Sequence, residues 1–233
     1  MKTAILTGAS SGIGKAVTEV LIESGYKVYG FGRDFNNASD TDMLKIRQFD
    51  LTDTNRLVKE IKDIKKAESI SLLINNAGVG YFALHEELNP SKIHEMVTVN
   101  LEVPMLLSQL LLRDIKKNKG SIINISSVTA KKSNPHGCAY GATKAGLSNF
   151  SESLFDEARK YGVKVAAIHP DMTKTNLYRN ADFDIGDTMD SYLEPEEVAE
   201  AVKWIINHRE GLAVTDITIK PQYHRLSKGK KNR

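Results

Sequence analysis

Thr7-Gly8-Ala9-Ser10-Ser11-Gly12-Ile13-Gly14 is the stretch on which the fold turns. It follows a short apolar run, Thr3 to Thr7, that suits a buried parallel strand. It precedes helical periodicity in Ala16, Val17, Val20 and Leu21. Strand, glycine loop and helix in that order are the setting a dinucleotide phosphate needs. One glycine allows the tight turn, one lets the backbone approach a pyrophosphate, and one lets helix and strand pack closely. The helix N-terminus adds free N–H groups and a positive dipole end. Gly8, Ser10, Ser11, Gly12, Ile13 and Gly14 are therefore candidate cofactor contacts. The spacing is GxxxGxG, not GxGxxG, and an ordinary glycine-rich turn is the competing reading of the loop alone.

Downstream, Val28 to Phe31 reads as a second strand, followed by Gly32-Arg33-Asp34. An acidic residue closing this strand would bind the ribose hydroxyls of NAD. Gly32 stands there instead. Glycine cannot repel a 2′-phosphate and Arg33 can pair with one bidentately, which favours NADP(H) over NAD(H). Lys15 would add to that field. Plain surface charge is the other reading of both cations, and Asp34 could still take the ribose by swinging inward.

Lys45 to Phe49 is a third strand, with Asp50 and Leu51 placed for an adenine edge. Asp53 to Lys66 is helical, with Leu57, Ile61 and Ile64 on one side. Ser71 to Ile74 is a buried strand ending in Asn75-Asn76-Ala77-Gly78. Residues 91–117 read as one long helix, with Asn100 among apolar neighbours and a kink expected near Pro104. An interior asparagine is a poor helix former and costly to bury unpaired, so Asn100 is satisfied locally or kept for function.

Ser121 to Ile125 leads into Ser126 and Ser127, and a helix carrying Tyr140 runs to about Tyr161. Val163 to Ile168 is closed by His169-Pro170. Residues 176–192 lack clear periodicity, Val198, Val202 and Ile205 mark a helix, and Ala213 to Ile219 is a last strand. The alternation predicts a Rossmann-type, doubly wound parallel sheet of about seven strands in three α/β/α layers. One domain over residues 1–233 is expected, with a mobile basic tail at 224–233.

The composition bounds the alternatives. The 233 residues are 41% hydrophobic and 26% charged, with a net charge of only +3, and no nucleic-acid partner is expected. No apolar run is read as approaching the ~18 residues of a membrane span, and no signal-peptide pattern opens the chain. The single cysteine, Cys138, fits a reducing cytoplasm and is expected as small buried filler. No metal-ligand cluster is visible.

Tyr140 and Lys144 are four residues apart, one above the other on a helix face. An ammonium beside a phenol favours the phenolate, so the pair would serve as proton donor and acceptor near neutral pH. Moving tyrosine from its ordinary value to about 7 needs roughly 4 kcal/mol. A lone YxxxK carries the false-positive risk of any short motif and means nothing alone.

Taken together, Gly8/Gly12/Gly14, Asp50, Asn75-Asn76-Ala77-Gly78, Asn100, Ser127, Tyr140 and Lys144 resemble, in order, the short-chain dehydrogenases/reductases. The resemblance covers nearly the whole chain. It implies hydride transfer between NADP(H) and a small carbonyl or alcohol, with Tyr140 as general acid/base. It implies that Lys144 binds the nicotinamide ribose, that Ser127 rather than Ser126 holds the substrate oxygen, and that Asn100 anchors a water in a proton relay. Asn75, Asn76, Ala77 and Gly78 would line the adenosine ribose side. Tyr140, Lys144, Pro170, Thr173 and Thr175 would meet the nicotinamide end. A homodimer or homotetramer built on the two long helices is implied as well.

Two departures stand out. Pro170-Asp171 replaces the family's common Pro-Gly, and Ile217-Thr218-Ile219-Lys220-Pro221 replaces its glycine-rich C-terminal motif. Substrate contacts are expected from Ser127, His136, Tyr140 and Asp171, with Tyr178 on the rim and residues 128–138 and 176–192 as wall and lid. The alternative is an NAD(P)-binding regulatory protein with little or no turnover.

Overall fold

The computed structural model describes residues 1–228. β1 (Lys2–Thr7), β2 (Tyr26–Gly32), β3 (Leu44–Gln48), β4 (Ile70–Asn75), β5 (Ser121–Ile125), β6 (Lys164–Pro170) and β8 (Asp216–Ile219) form one sheet. Its order is β3-β2-β1-β4-β5-β6-β8, and every neighbouring pair is parallel. The order reverses between β1 and β4, so the strand C-termini splay into a crevice there, where ligands of such sheets bind.

Alternation along β1 divides the core. Ala4 and Leu6 face α1 (Gly12–Glu23) and α6 (Pro195–Ile206), through Val17, Leu21, Val198 and Val202. Ile5 faces the opposite layer of α2 (Thr54–Ala67), α4 (Val103–Lys117) and α5 (Cys138–Ala158), through Leu57, Ile61, Leu107 and Leu154. Successive strand side chains point to opposite faces, and both faces are covered, so the strands read as unbroken apolar runs.

The long helix expected at 91–117 runs as α3 (Pro90–Val97), a π-turn (Thr98–Glu102) and α4. Pro104 has no N–H for the Asn100 carbonyl four residues back. The break expected near Pro104 takes the form of this π-turn. By length and composition the stretch Pro90–Lys117 could cross a membrane, contrary to the sequence expectation. Half of its most apolar window is buried, and Val103, Leu107, Leu111 and Ile115 lie wholly inside the core.

Two further expectations fail. Cys138 opens α5 exposed to solvent. The tail is not free from residue 224: β9 (Leu226–Lys228) pairs antiparallel with β7 (Phe183–Ile185), and Ser227 Oγ donates to the Ile185 carbonyl at 2.7 Å. Residues 229–233, with most of the tail's basic side chains, lie outside the described residues.

Candidate active site

The crevice at the strand C-termini is a cleft of about 430 Å³. Its outer end is built by the loop between β1 and α1. A Cβ at Gly14 would lie 1.9 Å from the Gly8 carbonyl oxygen, so only glycine lets the helix start so close to the strand. Ser11, the N-cap of α1, makes no side-chain capping bond, and no acidic residue stands in the first turn. The first amides of α1 are thus left for an anionic ligand. Asn76 bolts this loop to β4, donating from Nδ2 to the carbonyls of Thr7 (3.0 Å) and Gly8 (3.1 Å). These features fit a dinucleotide pyrophosphate.

Gly8, Ser10, Ser11, Gly12 and Ile13 line the cleft, with Asn76, Ala77 and Gly78 opposite. Asn75 does not join them. Strand alternation turns it into the sheet face, where it is buried and donates to Asn124 Oδ1 at 2.7 Å. Arg33 lies at the rim and is exposed, and Asp34 is tied into its own turn by accepting from the Asn36 N–H at 2.8 Å. A Cβ at Gly32 would meet Ser10 Oγ at 2.9 Å and the Phe35 ring at 3.0 Å, so a side chain there would have to displace both. Lys15 is exposed on α1 and does not line the cleft. Asp50 and Leu51 line the far end, with Asp50 Oδ1 accepting from the Thr52 N–H and hydroxyl.

At the inner end, β5 and α5 are bolted together. Lys144 Nζ donates to the Ile125 carbonyl at 2.8 Å, and Ser126 Oγ donates to the Lys144 carbonyl at 3.0 Å. Ser126 is thus committed to the joint. Ser127 Oγ accepts from the Thr129 N–H at 3.2 Å, a bond that does not use its own proton. Tyr140 is 5% exposed and lines the same space as Ser127 and Lys144.

Asn100 is fully buried and clamps the backbone of Val79, accepting from its N–H at 2.8 Å and donating to its carbonyl at 2.9 Å. It also donates to Thr143 Oγ1 at 3.2 Å, which donates to the Tyr140 carbonyl at 2.8 Å. The asparagine joins the π-turn, the loop after β4 and the helix of Tyr140. Its amide hydrogens are both engaged, and Oδ1 retains one lone pair.

The electrostatics differ from the sequence expectation. Burial pushes the Tyr140 phenol up to about 12, with a hydrogen bond from Ser127 pulling the other way. Burial holds the Lys144 ammonium down to about 8. The ammonium lies 5.8 Å from the Tyr140 ring centroid and is turned to a carbonyl, so in these surroundings desolvation outweighs its attraction for a phenolate.

Of the segment 176–192 expected as a lid, only Asn176, Leu177, Tyr178 and Arg179 line the cleft. Pro170, Thr173 and Thr175 line the cleft at its base, and the Thr175 methyl packs over Gly12. Asp171 lines the cleft, with Oδ1 accepting from the Met172 N–H at 2.9 Å. Tyr178 lines it too, and burial raises its phenol far above the usual range. Phe82 stacks on Tyr140, Tyr178 and Phe183 with centroids 5.5, 6.1 and 5.2 Å away, so an aromatic cluster seals the catalytic tyrosine candidate from above.

His136 is a correction. It is exposed in a left-handed turn (φ 62°), its carbonyl accepting from the Ala83 N–H, and it does not line the cleft. Nor does any residue of 128–138: the far end of that loop packs against Phe82 and Ala83, with Gly137 against the Phe82 ring and the His136 carbonyl on the Ala83 N–H. The wall comes instead from Val79, Glu95, Val99 and Leu177, which no sequence motif marks. Among the described residues no cluster of His, Cys, Asp or Glu can hold a metal ion.

A family model described as short chain dehydrogenase matches residues 2–185. The chain belongs to the short-chain dehydrogenases. A relative of this short-chain dehydrogenase, an uncharacterised oxidoreductase of Staphylococcus aureus strain USA300, is 29% identical over 228 residues, covering 94% of this chain and 97% of the relative. An alcohol dehydrogenase of the archaeon Thermococcus sibiricus, complexed with 5-hydroxy-NADP, superposes with a TM-score of 0.85 at 24% identity, covering 97% and 98% of the two chains. A 4-hydroxyisoleucine dehydrogenase complexed with NADH and succinate gives 0.82 at 25% identity, covering 94% and 97%. One of these neighbours holds an NADP derivative and the other NADH.

Proposed function

We propose that this chain is a cytoplasmic NADP(H)-dependent reductase that transfers hydride to a small carbonyl, or from the matching alcohol, with Tyr140 as general acid/base. The observation that carries the reading is the convergence of Ser127, Tyr140 and Lys144 at the inner end of a cleft whose outer end is an uncapped helix N-terminus. The bound nicotinamide would supply the hydride and, once oxidised, a positive charge. Gly12 to Gly14 would hold its pyrophosphate, Lys144 its ribose, and Thr173, Thr175 and Pro170 its amide end. Arg33 at the rim, with glycine and no acid at position 32, favours the 2′-phosphate of NADP.

In reduction the carbonyl oxygen gains negative charge. The Ser127 and Tyr140 hydroxyls would both point at it and stabilise that charge. Tyr140, held as neutral phenol by burial, is in the donating form and gives up its proton as the alkoxide develops. Phe82, 5.5 Å from Tyr140 between ring centroids, would shield one face of the phenol during that transfer. Asn100, through Thr143, would set the height of Tyr140 and offer its last lone pair to a relay water. Asp171 would meet a hydrogen-bond donor on the substrate. The partner is a small molecule, with neither nucleic acid nor membrane, and a homo-oligomer is proposed on the helices flanking the site.

The test is NADPH oxidation with a panel of aldehydes, ketones and dicarbonyls. Turnover with at least one supports the reading. Tight NADP binding without turnover across the panel would instead support a regulatory, cofactor-binding protein.

A further inference from the structure

The β5–β6 ladder runs one residue past β5, where the Ser126 N–H donates to the Ile168 carbonyl at 2.7 Å. Pro170 brings no N–H to continue it. The side chain of His169, the residue before, takes over. Its ring is fully buried, and Nδ1 lies 3.1 Å from the Ser127 carbonyl oxygen. On the other side, Nε2 lies 2.8 Å from Oδ2 of Asp216, at the start of β8. Oδ1 of Asp216 accepts from Lys131 Nζ, which also donates to Thr218 Oγ1 at 3.1 Å.

A backbone carbonyl accepts only, and so does a carboxylate held by an ammonium. A neutral imidazole has one N–H and can serve one of these two neighbours. The imidazolium serves both. The charged groups acting on the ring are Asp216 on β8 and Lys131 in the loop beyond Ser127. Burial draws His169 downward from its ordinary value and Lys131 adds to this, while the Ser127 carbonyl and Asp216 oppose them.

We propose that His169 is a positioning residue for Ser127, tying the backbone of the reacting serine through Asp216 to the Lys131–Thr218 cluster outside the cleft. The proposal rests on the reading that Ser127 holds the substrate oxygen. The Ser127 carbonyl also accepts from the Ala130 N–H at 3.0 Å, and its hydroxyl from Thr129, so the His169 bond completes a three-point grip. His169 does not line the cleft and touches no reacting atom. As pH rises and the ring loses one proton, the stronger acceptor, the Asp216 carboxylate, keeps the remaining N–H. The grip on Ser127 then loosens. An asparagine at 216 changes this, because its amide donates to Nε2 while the neutral ring donates from Nδ1 to Ser127.

The full chain labelled with ¹⁵N-histidine tests this by long-range proton–nitrogen NMR between about pH 5 and 8, with His169→Gln assigning the signal. In the wild type, Nε2 should stay protonated throughout while Nδ1 loses its proton as pH rises. In Asp216→Asn, Nδ1 should keep its proton across the range. An Nδ1 without a proton at every pH in the wild type, or an unchanged spectrum in Asp216→Asn, overturns the proposal. This arm needs no turnover, so it separates from any failure of the reductase reading. With a carbonyl that is turned over, assayed at the acid end of that range where Nδ1 carries its proton, His169→Phe should lower kcat by about 10- to 100-fold through misplacement of Ser127. KM for NADPH should stay within about twofold of wild type, and His169→Gln should recover part of the loss. Asp216→Asn should flatten the pH profile. A folded His169→Phe protein with wild-type kcat and pH profile overturns the proposal as well.

Discussion

Lys144 Nζ donates to the carbonyl oxygen of Ile125 at 2.8 Å, so the amine four residues along from Tyr140 is anchored to the last residue of β5. This bond fixes the helix against the strand at the point where Ser127 and Tyr140 line the same cleft. It leaves a buried ammonium with one protein acceptor, a state costly for folding and useful only for function.

Lys144→Met should therefore stabilise the protein while abolishing turnover. The wild-type amine is held down to about 8 when folded and returns to its ordinary value when unfolded. Between about pH 8 and 10 the unfolded chain binds the extra proton, so this group's contribution to stability rises with pH. Chemical denaturation should show the variant more stable at pH 7 by about 1–3 kcal/mol. The gain should shrink at pH 9.5.

Gly14→Ala should abolish cofactor binding and lower stability. The added carbon would lie 1.9 Å from the Gly8 carbonyl oxygen, which is backbone and cannot turn aside. Helix α1 must shift, and its first amides move with it. Fluorescence titration with NADPH should show no saturation at concentrations that saturate the wild type.

Arg33→Ala should weaken NADPH about tenfold or more, the loss expected of one charge-assisted phosphate contact. NADH binding should be unchanged. Calorimetric titration of both cofactors measures the pair. Equal affinities before and after the change would remove the preference for NADP.

Truncation before Arg225 should remove β9 and loosen the lid, because Ser227 would no longer hold the Ile185 carbonyl. Phe183 would lose its brace, and with it the aromatic cluster over Tyr140. Steady-state kinetics should show KM for the carbonyl rising several-fold while the affinity for NADPH stays near wild type.

Much of this was legible in the chain because its signals are local. The glycine loop, the alternation of strand and helix, and the i, i+4 spacing of Tyr140 and Lys144 each lie within one element or one turn. The failures are of another kind. Asn75 and Asn76 are neighbours at a strand end, and alternation gives only one of them to the cleft; which one depends on the register of β4 against β1. Asn100 was visible as an anomaly, but its clamp on Val79 spans 21 residues of sequence separation. His169 was visible only as the residue before a proline, because Ser127 and Asp216 reach it from distant segments. The loop 128–138 looked like a wall because it joins Ser127 to Tyr140, yet none of its residues lines the cleft and its far end packs against Phe82 and Ala83.

The central claim is that Tyr140 donates the proton in a hydride transfer to a carbonyl. Its most direct test is single-turnover NADPH oxidation with the best carbonyl of the panel, comparing wild type and Tyr140→Phe. Phenylalanine keeps the ring in the aromatic cluster and removes only the hydroxyl. The account predicts NADPH bound as in the wild type and a rate lowered by at least about 100-fold, the scale of general acid catalysis. A variant that binds NADPH and oxidises it at the wild-type rate would contradict it.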